Sequence, residues 1–199
     1  MEASFFTRHP IVKDAVGILV FVVAVIIGTI IINTFVFRSY HVVGPSMEST
    51  LFTGDRLIVD RLPVTWANLM GKSYEPTRGS IIVFKNPHYS SGLEDEYIVK
   101  RVIALPGEHI ILKDGVYTVY NAENPNGFDP DSLNHGEPGG PTSGEVDEVV
   151  PDGEIFVSGD HRVASYSLDS RNGLGTIPLY DVVGPVSWRI FPFTKIRSF

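Results

Sequence analysis

Residues 15–37 read AVGILVFVVAVIIGTIIINTFVF, without one charged side chain. As a helix rising about 1.5 Å per residue, the run exceeds the ~30 Å hydrocarbon core of a bilayer. A cleavable secretory leader has an apolar centre of only about 7–15 residues, followed by a small-residue cleavage site. This run is longer, and Asn33-Thr34-Phe35-Val36-Phe37-Arg38 carries no A-x-A pattern. It reads as an uncleaved, single-pass anchor, which makes the lipid bilayer a partner. The chain of 199 residues then divides into a short tail (1–14), a transmembrane helix (15–37) and a domain (38–199). Arg8 and Lys13 precede the span and Arg38 follows it. That slight positive bias favours a cytoplasmic N-terminus and an external domain.

After Arg38 the texture changes to short β-branched runs separated by Gly, Pro and Asp. Strands are expected at Arg56–Asp60, Ser80–Phe84, Tyr97–Ala104, His109–Lys113, Val116–Tyr120, Glu154–Ser158 and Val182–Trp188. Asp114-Gly115 between two of them predicts a two-residue hairpin. Val64–Met70 alone suggests a short helix. The expected fold is mostly β, an antiparallel barrel or set of folded sheets behind one N-terminal transmembrane helix. Asn121–Gly144, rich in Asn, Pro, Gly and Asp, predicts a surface excursion.

Composition narrows the chemistry. The chain has no cysteine, which excludes disulfides, thiolate metal sites and a cysteine nucleophile. Its six histidines are scattered without HExxH spacing, and no phosphate-binding glycine loop is present. No metal and no cofactor are expected. The formal charge of -7, with no basic tract, gives nucleic acid no surface to bind. Nothing in the sequence calls for a second copy, so a monomer is expected.

Catalysis would have to come from Ser, Lys, Asp, Glu, His and Arg, and three segments offer them. Val43-Gly44-Pro45-Ser46-Met47 lies just beyond the span, and Gly-Pro before a serine forces a turn that can present its hydroxyl. Alone, it also reads as a plain surface turn. In a strand over Tyr97–Ala104, Ile98, Lys100 and Val102 share one face. A lysine between aliphatics is a candidate for desolvation, which disfavours the ammonium and lets the amine accept a proton. Alone, it also reads as a lysine reaching off a strand edge. Residues 159–173, GDHRVASYSLDSRNG, suit either a polar network that orients another group or a charged, turn-rich loop.

Together these segments resemble the type I signal peptidases, membrane-bound Ser–Lys proteases that remove secretory signal peptides. The resemblance rests on five motifs in family order: GPSMEST (44–50), GDRLIVDRL (54–62), RGSIIVFKNP (78–87), YIVKRVIALPGE (97–108) and GDHR…SLDSR (159–171). A single amino-terminal span resembles the Gram-positive and actinobacterial architecture. By position, Ser46 matches the family's nucleophile and Lys100 its general base. Ser167 matches the serine that orients the lysine. Asp169 with Arg171, and Asp160 with Arg101, match supporting charged pairs.

The resemblance also implies secretory preproteins as substrates, cut after small residues, and a catalytic domain on the outer face of the plasma membrane. Substrate would bind as an added strand beside Ser46 and the Lys100 strand. Tyr40, Val42, Val43, Met47, Leu51, Ile98 and Val99 are expected to line its apolar pockets. Trp66, Leu69 and Met70 are expected near the lipid interface. Three positions depart from the family pattern. Ser49 replaces a usual Pro, and Gly44 stands where some members have a Ser that helps bind the oxyanion. Four residues separate Arg162 from Ser167 where two are common, which leaves Ser165 as a rival to Ser167. A self-cleaving repressor of similar architecture would lack the span. From another class, an anchored β-domain that binds a partner without catalysis remains the alternative.

Overall fold

The computed structural model describes residues 9–91, 96–134, 138 and 140–199. Residues 1–8 of the expected cytoplasmic tail, and 135–137 and 139 of the expected excursion, lie outside them. The apolar run forms helix α1, Pro10–Ile31, which continues through a π-helical turn, Ile32–Val36. Proline at the start suits a helix terminus, where its missing N–H has no intrahelical partner to lose. The helix begins ahead of the uncharged run, so Lys13 and Asp14 lie within it rather than in a tail. Phe37, expected to end the span, instead opens strand β1, Phe37–His41. Residues 11–36 form the one helix among the described residues that is long and apolar enough to cross a membrane.

Ten further strands follow: β2 (Arg56–Asp60), β3 (Ile81–Lys85), β4 (Tyr97–Ala104), β5 (His109–Lys113), β6 (Val116–Tyr120), β7 (Val146–Val149), β8 (Glu154–Ser158), β9 (Ile177–Pro178), β10 (Val182–Phe191) and β11 (Arg197–Ser198). The large sheet runs β1-β2-β10-β3-β4-β8-β9, with β11 added on β10, and its pairings are antiparallel. A smaller sheet runs β6-β5-β7. Its β5–β6 hairpin turns at Asp114 and Gly115, with φ of 52° and 83°. Positive φ at both positions matches the right-handed twist of the flanking strands, which is why Asp-Gly signals this turn.

The large sheet curls around apolar residues. Val42, Met47, Leu51, Leu57, Val59 and Val83 form one buried cluster, against which Tyr97 and Val99 pack. On the opposite phase of β4, Ile98 and Val102 join Ile82, Phe84 and Val157 in a second cluster. The alternation read from the sequence is therefore the alternation of the strand. A third cluster, including Ile103, Ile110, Tyr117 and Phe156, joins the small sheet to the end of β4.

A short helix, α2 (Leu62–Leu69), is tied to the end of the apolar helix. The Arg61 N–H donates to the Val36 carbonyl at 2.8 Å, and Thr65 Oγ1 donates to the Phe35 carbonyl at 2.9 Å. Leu62, Trp66, Leu69 and Met70 are all exposed there.

Candidate active site

Ser46 follows a bend at Gly44-Pro45 and opens a run of turns through Thr50. The Glu48 N–H closes the first turn on the Pro45 carbonyl at 3.0 Å. Gly44 has φ of +89°, a left-handed conformation that a side chain would strain. That conformation suits glycine at this position. The loop after β8 grips the turn from the other side. The His161 N–H donates to the Ser46 carbonyl at 3.0 Å, and His161 Nδ1 lies 3.2 Å from the Pro45 carbonyl.

Strand β4 brings the second expected group. Lys100 is 3% exposed, and its Nζ donates to Ser46 Oγ at 2.8 Å and to the Val99 carbonyl at 2.8 Å. Residues separated by 54 positions thus meet within one hydrogen bond. The Ser46 N–H makes no hydrogen bond within the chain among the described residues, so it is available as a donor.

Ser167 is fully buried beside this pair. A Cβ added at Gly159 would collide with both Ser167 Oγ and the Ser46 carbonyl, so the absence of a side chain there lets the three segments close up. Ser167 Oγ is buried with no hydrogen-bond partner. The expected bond from Ser167 to Lys100 is therefore not present in this geometry. Ser165, its rival, is exposed.

The four expected charged residues form two buried pairs. Arg101 Nε and Nη2 donate to the Asp160 carboxylate at 2.8 and 2.6 Å, while Nη1 donates to the Gly79 carbonyl at 2.8 Å. Arg101 thereby fixes the loop carrying His161. Asp169 accepts from Arg171 Nη2 at 3.0 Å and from the Gly159 N–H at 2.9 Å. Arg171 Nη1 reaches the carbonyls of Ser143 and Arg162.

A third pair escaped the sequence. Arg162 donates to both oxygens of Asp131 at 2.6 and 2.7 Å, and to Thr142 Oγ1 at 3.1 Å. Burial works against the Arg162 charge, but the Asp131 carboxylate more than offsets it and holds the guanidinium protonated. The expected excursion is therefore clamped, through Asp131, Thr142 and Ser143, onto the loop that holds Ser46. Arg162 stood in a quoted motif, but no periodicity links it to Asp131 31 positions away.

A groove of about 450 Å³ opens beside Ser46 and Lys100. Tyr40, Val42, Val43, Ile98 and Val99 line it, as expected. Met47 and Leu51 do not; both are fully buried in the core. The Leu51 N–H bonds the Met47 carbonyl at 2.8 Å, so the two sit one helical turn apart on the inward face. Asn86, Tyr166 and Leu168 line the groove without having been expected. At its end, Arg38 lies over the rings of Tyr40 and Tyr97, and burial pushes the Tyr40 phenol up to about 12.

One wall of the groove is a bare strand edge. Tyr97, Ile98 and Val99 pair with β3 on one side, whereas β8 pairing begins only at Arg101 opposite Ser158. The other edge of residues 97–99 has no strand partner among the described residues. The site thus offers a hydroxyl, an amine within reach of it, an unused backbone donor and an edge for an extended chain.

Comparison with known proteins identifies the family. The family described as "Signal peptidase, peptidase S26" matches residues 14–191. The Signal peptidase I of Bacillus licheniformis is 34% identical over 183 residues, covering 89% of this chain and 88% of that protein. The Signal peptidase I T of Bacillus subtilis (strain 168) is also 34% identical over 183 residues, with 89% and 85% covered. A crystal structure of a signal peptidase I from Enterococcus faecalis V583 is similar at 26% identity and a TM-score of 0.42, covering 55% of this chain and 95% of that one. With the family matched across nearly the whole length of the chain, this protein belongs to the signal peptidases of the S26 peptidase family.

Proposed function

We propose that this protein cuts signal peptides from secreted preproteins after small residues, with Ser46 as nucleophile and Lys100 as general base. The observation that carries the reading is the 2.8 Å hydrogen bond between Lys100 Nζ and Ser46 Oγ, at the side of a groove with an open strand edge.

Burial strips water from the Lys100 amine, and desolvation disfavours its charged form. The neutral amine takes the Ser46 proton as Oγ attacks the scissile carbonyl. The Ser46 N–H donates to the oxyanion. Collapse of the intermediate passes the proton from Lys100 to the leaving amine and releases the mature chain. Lys100 then deprotonates a water that attacks the acyl-enzyme. The Ser46 Oγ–acyl bond breaks, Lys100 returns the proton to Oγ, and the signal peptide leaves as a carboxylate after losing its acid proton to solvent. Activity accordingly rises with pH as Lys100 gives up its proton. Ser167 Oγ is buried without a partner beside the Ser46 carbonyl, and it accepts from the ammonium only by turning from its present position toward Lys100 as the proton moves. Asp160–Arg101 and Asp169–Arg171 hold the loops and stay out of the chemistry.

Substrate adds as a strand along residues 97–99, opposite Tyr40–Val43, with its small side chains over Val42 and Val99. The apolar helix spans the membrane once, with the N-terminus in the cytoplasm and residues 38–199 outside it. The exposed side chains of Trp66, Leu69 and Met70, on a helix bonded to the end of that span, rest in the lipid interface. The enzyme works as a monomer.

The direct test incubates the full-length protein in detergent with a secretory precursor and measures product masses. Wild type yields one cut after a small residue, and Ser46→Ala yields none; full processing by Ser46→Ala would defeat the assignment.

A further inference from the structure

Four residues, Val163–Tyr166, separate Arg162 from Ser167. Both ends of this stretch are fixed. Arg162 is held by Asp131 and Thr142, the Ala164 N–H donates to Ser143 Oγ at 2.9 Å, and the Ser167 carbonyl accepts from Asn172 Nδ2 at 3.0 Å. What projects is an apolar rim, with Tyr166 61% and Leu168 51% exposed. Tyr166 is nevertheless held in place. Its ring stacks on His161, with centroids 4.7 Å apart and planes at 22°. His161 in turn bonds the turn that carries Ser46, through its N–H to the Ser46 carbonyl. Tyr166 and Leu168 line the same groove as Ser46 and Lys100.

The groove has an inner side, where Val42, Leu57 and Val83 are buried, and this exposed outer rim. An extended chain sends alternate side chains to opposite sides. When the residue whose carbonyl meets Ser46 points inward, the residue before it points outward, toward the rim. We propose that Tyr166 is a specificity-determining residue that binds an apolar or aromatic side chain at the substrate position immediately before the one whose carbonyl is attacked. The inference rests on the reading of Ser46 as nucleophile. A flat ring already immobilised by stacking gives contact area at little cost in conformational freedom.

The test uses the full-length protein in detergent micelles and four peptides that differ only at that position, carrying Phe, Leu, Gly or Asp. Wild type favours Phe and Leu over Gly by about fivefold in kcat/KM, mainly through KM, and disfavours Asp. Tyr166→Ala brings the Phe-to-Gly ratio close to one, and Tyr166→Phe, which keeps the stack, restores it. A wild type indifferent to this position overturns the inference. So does a Tyr166→Ala variant with the original ratio, or one that loses kcat equally on all four peptides, since that is how a merely structural residue behaves. Ser46→Ala separates the two levels. If it cleaves the peptides, the nucleophile assignment falls; if it is inactive while Tyr166→Ala keeps the ratio, only the role of Tyr166 falls.

Discussion

Lys100 and Arg101 are neighbours on one strand, both buried, yet they serve opposite sides of the site. Arg101 meets a carboxylate, with Asp160 taking two of its donors at 2.8 and 2.6 Å. Lys100 meets a hydroxyl and a carbonyl, those of Ser46 and Val99. A guanidinium stays charged under any ordinary condition, so it suits a permanent clamp. An amine can surrender its proton when water is withdrawn, so it suits a base. The same contrast holds further out, where Arg162 with Asp131 and Arg171 with Asp169 lock loops around the Ser46 turn. Fixed charges build the frame, and Lys100, bonded to Ser46 Oγ, is of the kind that can change its charge.

The largest expected effect comes from making the two neighbours alike. Lys100→Arg places a guanidinium that cannot act as base beside Ser46 and lowers kcat/KM for precursor cleavage by about 10³-fold or more. Retention of a tenth of wild-type activity would dissolve the contrast. Next, Asp160→Asn leaves the Arg101 charge buried without its carboxylate and costs about 3–5 kcal/mol of stability, measured as a lowered denaturation midpoint. A midpoint unchanged by that variant would mean that the clamp holds nothing. The smallest effect is on choice rather than rate. Val99→Phe narrows the groove wall and moves or restricts cleavage sites on a precursor, read by product mass; an unaltered cut would remove Val99 from the pocket.

Much of the framework was legible in local pattern. Strands β2, β4, β5, β6 and β8 begin and end where period-two runs and Asp-Gly turns placed them. Strand β3 is displaced by one residue, and β10 runs on to Phe191. Strand β1 was hidden because Phe37 continues the apolar run by composition, and only pairing with β2 makes it extended. Strand β7, Val-Asp-Glu-Val, is mostly exposed, so it lacks the alternation that marks a half-buried strand.

The site divides in the same way. Strand phase offered Lys100 only as a lysine between aliphatics, equally readable as reaching off a strand edge, and its part as base, like the charged pairs around it, came from motif position. Met47 and Leu51 stand near Ser46 in sequence, but a turn aims them into the core. The clamp of Asp131 on Arg162, and the stacking of Tyr166 on His161, join loops whose order in sequence says nothing of their meeting. Such contacts depend on how the sheets pack.

The central claim is that Lys100 activates Ser46. A serine-directed acylating probe, with the modified residue mapped by mass, tests it most directly in wild type and in Lys100→Ala. The account predicts labelling at Ser46 in the wild type, growing as pH rises, and none in Lys100→Ala. Equal labelling of Ser46 in both proteins, or no labelling of the wild type, would contradict it.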